Sequence, residues 1–324
     1  MFGRKLYHLS AKPRSSNGLA IGNRMEAAIQ HKAGVSCRTL DARGEIEAWV
    51  QYYQDFIAKL GRSDLHAVIF DYDGTLCAPQ RRFDGPSAAI TKKLTALLKA
   101  GLYVGIATGR GKSVREDLRK AVRSTAHRKR VMLAYHNGAE IGTLDDMAIP
   151  PEASPLAINL KLLAEQLKII PQVVQHADMT AKGNQITLQL SKRAEVSAIF
   201  EAVSRATRDV GPPGATVVTS THSIDVLAPG ISKHLLLKYF QEQHGLQAAS
   251  QVLCIGDRGR WPGNDADLLN HLPSLSVDQV SRDPRTCWNL SSPGQRYDLA
   301  CLEYLERLVR TTTGVRFNIE GLKK

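Results

Sequence analysis

An α/β fold, with a parallel sheet as its core and a smaller α+β segment inserted into it, is predicted by three features of the 324-residue sequence. Short apolar runs alternate with helical segments before residue 145 and after residue 228, the pattern of a parallel sheet buried on both faces. Three of those runs end in a carboxylate or a hydroxyl: "AVIF" before Asp71, "VGIA" before Thr108 and "VLCIG" before Asp257. Between 145 and 227 the texture changes to half-polar strands and amphipathic helices, as expected of an open sheet covered on one face. The expected organisation is a helical extension over 1–64, a core built from 65–144 and 228–313, an α+β insertion over 145–227 and a tail over 314–324.

In chain order, "AKPRSSNG" reads as a loop. "EIEAWVQYYQDFIAKL" then places Ile46, Trp49, Val50, Tyr53, Ile57 and Leu60 on one helical stripe. Such a stripe has to be covered by the following domain, by a second copy or by a protein partner, and the sequence does not choose. "HAVIF", "LYVGIAT", "VMLAYHNG", "QVLCIGD" and "LSVD" read as core strands. "PSAAITKKLTALLKAG" is a helix ended by its glycine, and "SKHLLLKYFQEQHG" is a helix capped by Ser232 with Lys233 in its first turn. "YDLACLEYLERLVR" is expected to close the core as a helix. In the insertion, "LAINLKLLAEQL" and "AEVSAIFEAVSRATRD" are helical, and "NQITLQL" and "ATVVTS" are strands.

Composition narrows the class. No run of 18 apolar residues occurs, so no membrane-spanning helix is expected, and the N-terminus lacks the apolar stretch of a secretory signal. Five widely spaced cysteines suit neither a disulfide framework nor a zinc ribbon, which suggests a soluble, cytoplasmic protein. The net charge of +12 is concentrated in residues 65–144, with 14 basic against 6 acidic residues. Most of this excess lies in "KSVREDLRKAVRSTAHRKR", residues 112–130, which reads as a solvated helix face or, alternatively, as a lure for phosphate-rich partners such as nucleic acid.

Asp73-Gly74 taken alone is a hairpin signal. A hairpin, however, does not account for the polar ends of the other two strands, whereas ligands of open α/β sheets bind beyond the carboxyl ends of the strands. Lys233 opposes the dipole of its helix unless an anion lies in front of it. Asn264 and Asp265 can be read as a helix cap and a first-turn acid. Beside Asp71, Asp73 and Asp257 they also complete an oxygen-rich cluster suited to Mg²⁺. "GIATGRGKS" misses the P-loop pattern by one residue, since Ile106 stands where the first glycine belongs. The ten histidines show no zinc spacing, and His136 reads as structural.

"DYDGT", "TGR", the Lys233 turn and "GD…ND" resemble, in order and spacing, the four motifs of the haloacid dehalogenase superfamily of phosphotransfer enzymes. The resemblance covers residues 65–313, and the insertion resembles the type II α+β cap of Cof-like sugar phosphatases. It implies a Rossmann-like core and a phosphatase acting on a small phosphorylated substrate such as a sugar phosphate. Asp71 would be the nucleophile, forming an aspartyl-phosphate, and Asp73 the general acid/base. Thr108 and Lys233 would bind the transferring phosphoryl group, helped by Gly74, Thr75, Gly109, Arg110 and Asn264. Mg²⁺ would be held by Asp71, the Asp73 backbone carbonyl, Asp257 and Asp265. The loop "GDRGRWPGND" is longer than that of Cof-like phosphatases and similar to that of eukaryotic phosphomannomutases. It therefore raises a mutase alternative in which Arg258, Arg260 and Trp261 reach substrate. A phosphatase of nucleotide or nucleic-acid ends and a catalytically silent binding subunit are the remaining alternatives.

Overall fold

The computed structural model describes residues 22–151 and 155–322. The "AKPRSSNG" loop lies outside the described residues. The chain opens with α1 (Asn23–Ala33), α2 (Cys37–Ala42) and α3 (Ile46–Arg62). Ser36 caps α2 by accepting a hydrogen bond from the Thr39 amide at 3.1 Å. The stripe of α3 is buried at Ile46, Val50, Tyr53, Ile57 and Leu60, and Phe56 widens it. Of the three possible covers, the chain's own core is the one found. The rings of Trp49, Tyr53 and Phe56 surround buried Trp288 at centroid distances of 6.3, 5.4 and 6.1 Å.

The core then alternates strand and helix. It runs through β1 (Ala67–Asp71), α4 (Ala88–Lys99), β2 (Tyr103–Ala107), α5 (Lys112–Ala121), α6 (Thr125–Arg128), β3 (Val131–Tyr135) and β4 (Glu140–Thr143). The insert follows as α7 (Lys161–Leu167), α8 (Pro171–His176), β5 (Ala177–Lys182), β6 (Gln185–Leu190), α9 (Val196–Val210), β7 (Thr216–Thr219) and β8 (Ser223–Leu227). The chain returns to the core with α10 (His234–His244), α11 (Ala248–Gln251), β9 (Val252–Arg258), α12 (Ala266–Leu269), β10 (Ser274–Gln279) and α13 (Tyr297–Glu306). A hairpin of β11 (Leu308–Arg310) and β12 (Val315–Phe317) ends the described chain.

The core sheet has the order β10-β9-β1-β2-β3-β4, parallel except for the antiparallel β3–β4 pair. Every residue of β1 is buried, because the strand is central and covered on both faces. Val68 and Phe70 pack into the cluster that contains the N-terminal helices, α4 and α13, while Ala67 and Ile69 face α10 and α12. With parallel neighbours on both sides, β1 leaves no room for a hairpin at Asp73-Gly74.

The insert sheet, β5-β6-β8-β7, is antiparallel throughout. Ile186 and Leu188 of β6 join Ile224 and Val226 of β8 in an apolar cluster beneath α7 and α9. The alternate residues Gln185, Thr187 and Gln189 belong to the opposite face.

Two readings of the sequence change. The last helix ends at Glu306 rather than at Arg310, because Thr311 turns the chain. It accepts the Gly314 amide on its hydroxyl and donates its own amide to the Gly314 carbonyl, which starts the β11–β12 hairpin. That hairpin closes on the core through the Leu65–Val315 pair. The basic segment 112–130 is also less free than a solvated face. Arg115 is buried and donates to the Met147 and Ile149 carbonyls, both at 2.8 Å; Arg119 donates to Leu144 O and Arg128 to Val122 O. Among the described residues no helix is long and apolar enough to cross a membrane.

Candidate active site

Asp71 is the last residue of β1, and Asp257 lies one residue before the end of β9, its hydrogen-bonded neighbour. Beyond β1 the chain turns through Gly74 at φ 87°; a β-carbon there would come within 2.4 Å of Asp257 Oδ2, so both the turn and the close approach require glycine. Thr75 folds back and donates its hydroxyl to Asp71 Oδ2 at 3.3 Å. Thr108, just past β2, is buried, and its hydroxyl accepts the Arg110 amide at 3.0 Å, leaving the hydroxyl hydrogen to donate elsewhere. Gly109 approaches Asn137 so closely that a β-carbon would lie 3.3 Å from Asn137 Nδ2.

Lys233 enters from the opposite side. The helix begins one residue later than the sequence suggests, with Lys233 itself at the cap position and the Ser232 side chain making no cap bond. Gly138, at φ 101°, lets the turn after β3 press against this segment, since a β-carbon would meet Ser232 O at 2.3 Å. Lys233 is 1 % exposed, and its Nζ donates to Asp71 Oδ1 at 2.5 Å and to Asp265 Oδ1 at 2.7 Å. The other Asp265 oxygen accepts the amides of Asp257 and Arg258, each at 3.0 Å, and so folds the loop back onto β9.

No family model matches the chain, and no curated protein matches it. Among solved structures, it is similar to the C-terminal domain of C. albicans trehalose-6-phosphate phosphatase, with 16% identity, 78% of this chain and 94% of that chain covered, and a TM-score of 0.52. It is also similar to an N-terminally truncated Plasmodium falciparum IMP-nucleotidase, with 14% identity, 78% and 73% coverage and a TM-score of 0.52. A haloacid dehalogenase-like hydrolase from Bacteroides thetaiotaomicron matches at 14% identity over 65% of this chain and 88% of that one, with a TM-score of 0.48. The chain has the haloacid dehalogenase fold.

At the strand ends of this haloacid dehalogenase fold, carboxylate oxygens of Asp71, Asp257 and Asp265 lie within 4.8 Å of one another, all three residues buried. Lys233 pairs with Asp71 and Asp265, whereas Asp257 Oδ2 has no hydrogen-bond partner and only Arg258 Nε at 3.8 Å. Buried charges are normally paired or bound to metal, so the oxygen set and the orphaned atom fit a hard divalent cation. Burial, then the charge of Asp265, pushes Asp71 up to about 7 against the pull of Lys233. Burial, then Asp71 and Asp265, raises Asp257 well above its ordinary value. Burial acts the same way on Asp265, yet the charge and hydrogen bond of Lys233 outweigh it and hold that carboxyl low. Desolvation opposes the charge of Lys233, but Asp265 and Asp71 keep it protonated.

The Asp73 side chain stands apart from this triad. Its Oδ1 faces Arg110 at 3.2 Å, and burial raises its pKa although Arg110 pulls the other way. Asn264 does not cap α12. Its amide donates to Thr219 O at 3.0 Å, while Thr219 donates to Pro262 O at 2.8 Å. The long loop thus pairs with the end of β7 and ties the insert to the core. Arg258 adds a bond to Thr221 at 3.0 Å. Trp261, 58 % exposed, lines an outer cavity with Phe200 and Arg205 of α9 instead of reaching the carboxylates.

Sequence reasoning missed the insert's share of the site. A cavity of about 310 Å³ lies between Arg110 and His136 on the core side and Thr180, Lys182, Thr187 and Gln189 on the open face of the insert sheet. Asn137 crosses from the core to Gln185 at 3.1 Å, and Gln185 bonds Thr187 and buried Asp225. The signal was the alternation in "NQITLQL", whose polar positions face this cavity.

Proposed function

We propose that the protein is a Mg²⁺-dependent phosphohydrolase that cleaves a small phosphate monoester, such as a sugar phosphate, through an aspartyl-phosphate on Asp71. The observation that carries this reading is the buried triad of Asp71, Asp257 and Asp265 with an orphaned oxygen, placed at the strand ends beside Asp73. Asp71, Asp257 and Asp265, with the Asp73 carbonyl, would hold Mg²⁺, which when bound supplies positive charge to the phosphoryl oxygens.

The chain's own groups do the rest. Asp71 attacks phosphorus, and the ester oxygen leaves with the proton of Asp73. A carboxyl raised by burial carries that proton closer to neutrality than an ordinary aspartate at about 3.9. Asp73 then takes a proton from the water that attacks the aspartyl-phosphate, releasing inorganic phosphate and regenerating Asp71. Lys233 and the Thr108 hydroxyl neutralise the equatorial oxygens, and the Gly74, Thr75 and Gly109 backbone with Arg110 shapes their surroundings.

The cavity volume suits a small metabolite. Two of the structures similar in fold are named for small phosphate esters. Three arginines of segment 112–130 spend donors on backbone carbonyls, which leaves less of the segment's charge for nucleic acid. All five cysteines are free and buried, in keeping with a reducing, cytoplasmic setting. The mutase alternative rests on the long loop, which has a separate use here in holding the insert.

Phosphate release from a panel of sugar phosphates and nucleotides, with Mg²⁺ or with chelator, tests the proposal. Asp71→Asn is expected to lower turnover on the order of 10⁴-fold or more. Equal turnover in that variant, or isomerisation of a hexose phosphate with negligible phosphate release, would overturn it.

A further inference from the structure

The cavity between core and insert carries more positive charge than one phosphoryl group needs. Arg82, Arg110 and Lys182 line it, and no carboxylate does. Lys233 and Thr108 lie deeper, beside Asp71 in the case of Lys233, so the phosphoryl group under the proposed function is already served. Arg110 is engaged by Asp73 at 3.2 Å and Asp117 at 3.7 Å. Arg82 has no carboxylate within ion-pair distance, although the charge of Asp73 acts on it from farther off. Its guanidinium forms no ion pair or hydrogen bond among the described residues and rests on the ring of Phe83 at 4.5 Å, with Arg110 over the same ring at 5.1 Å. Phe83 is 68 % exposed, so two guanidiniums are held on an open aromatic platform at the cavity wall. Across from them, at the end of β5, Lys182 is exposed and likewise without an ion pair among the described residues.

Like charges held close together destabilise a protein unless an anion comes between them. Arg82 comes from the loop between β1 and α4 of the core and Lys182 from the end of β5 of the insert, so a group bound between them touches core and insert at once. We propose that the substrate carries a second anionic group, a carboxylate or a phosphate, at the end away from the cleaved ester, and that Arg82 and Lys182 bind it. This inference rests on the hydrolase reading for the position of the first phosphate. Thr187 and Gln189 offer hydrogen bonds to the polar body between the two anions.

The test compares three matched probes: glucose 6-phosphate with one anion, 6-phosphogluconate with an added carboxylate, and glucose 1,6-bisphosphate with an added phosphate. Binding is measured by calorimetry on the full chain carrying Asp71→Asn, and turnover on the wild-type chain. The two-anion probes are expected to bind at least about tenfold tighter than glucose 6-phosphate. Arg82→Gln and Lys182→Gln are each expected to remove most of that preference while changing glucose 6-phosphate binding less than about twofold. Whichever two-anion probe binds tighter identifies the second group. Equal affinity for all three probes, or a preference that survives both substitutions, overturns the inference. A preference that depends on Arg82 and Lys182 without turnover of any probe supports the second anion site and overturns the hydrolase reading alone.

Discussion

The two sheets of this molecule present their polar groups in opposite ways. The central strands of the core sheet, β1, β2 and β9, are sealed on both faces, and their polar groups emerge at the strand ends, at Asp71, Thr108 and Asp257. The insert sheet is sealed on one face, and its polar groups are spread along the strands, at Thr180, Lys182, Thr187 and Gln189. A sealed sheet concentrates chemistry at one edge, in a dry place where charges act strongly on one another. A half-open sheet distributes recognition over an area, one contact per alternate residue. The first arrangement suits bond breaking and the second suits selecting what is brought to be broken.

The comparison breaks most visibly if the sealed end loses its cation. Lys233→Met leaves Asp71 and Asp265 facing each other without compensation. In chelator the variant is expected to lose about 3–5 kcal/mol of stability in chemical denaturation, the usual cost of breaking a buried pair. Added Mg²⁺ is expected to restore part of the loss, because it binds the folded carboxylates. A denaturation curve insensitive both to the substitution and to Mg²⁺ would show that the triad is not strained by its own charge.

Adjacent residues of β6 sharpen it further. Ile186 lies in the insert's apolar cluster and Thr187 on the cavity wall. Ile186→Ala is expected to cost about 2–5 kcal/mol of stability. Thr187→Ala is expected to stay within about 0.5 kcal/mol of wild type and to raise KM instead. Thermal melts and steady-state kinetics on the pair decide the matter, and equal stability losses would mean that the open face is not open.

The smallest expected effect is one of pH. His222, between β7 and β8, is pushed down to about 4 by burial and by the charges of Arg82 and Arg258. Below the ordinary histidine value of about 6.5 the unfolded chain takes up a proton that the folded chain refuses. Stability is therefore expected to fall as the pH drops from about 6.5 towards 4. Urea midpoints should show a shallower fall over that window in His222→Gln; parallel curves would place His222 in ordinary solvent.

What could be read from the sequence follows the same division. Asp71, Thr108 and Asp257 stood out because each ends an apolar run, and a strand buried on both faces has no other use for a polar residue. Lys233 was legible as a lysine in an awkward place, but its burial and two carboxylate partners depend on tertiary packing. The open face of β6 was not legible as a site, because Gln185, Thr187 and Gln189 look like any solubilising alternation until an opposing wall is known. Strand β5, "ADMTAK", alternates apolar and polar residues, but two of its three apolar positions are alanines, too weakly apolar to announce it. Arg115 read as part of a charged helix because charge is a property of the residue, whereas the Met147 and Ile149 carbonyls that bury it come from a distant segment. Trp288 was invisible for the same reason, since the stripe of α3 predicts a cover without naming it.

The pairing of Thr219 with Gly263, two residues before Asp265, sets the unit in which this architecture can be exchanged. An engineer replacing the insert with one of another shape would ordinarily cut at the two points where the chain leaves and re-enters the core. Here a third piece has to travel with it. Residues 258–264 fit the end of β7, and a foreign insert would leave them without their seat while they still carry the backbone of Asp265. Shortening the loop to a tighter spacing would meet the converse problem, keeping the carboxylate and stranding the insert. The transferable module is thus two separate stretches of sequence that meet only after folding.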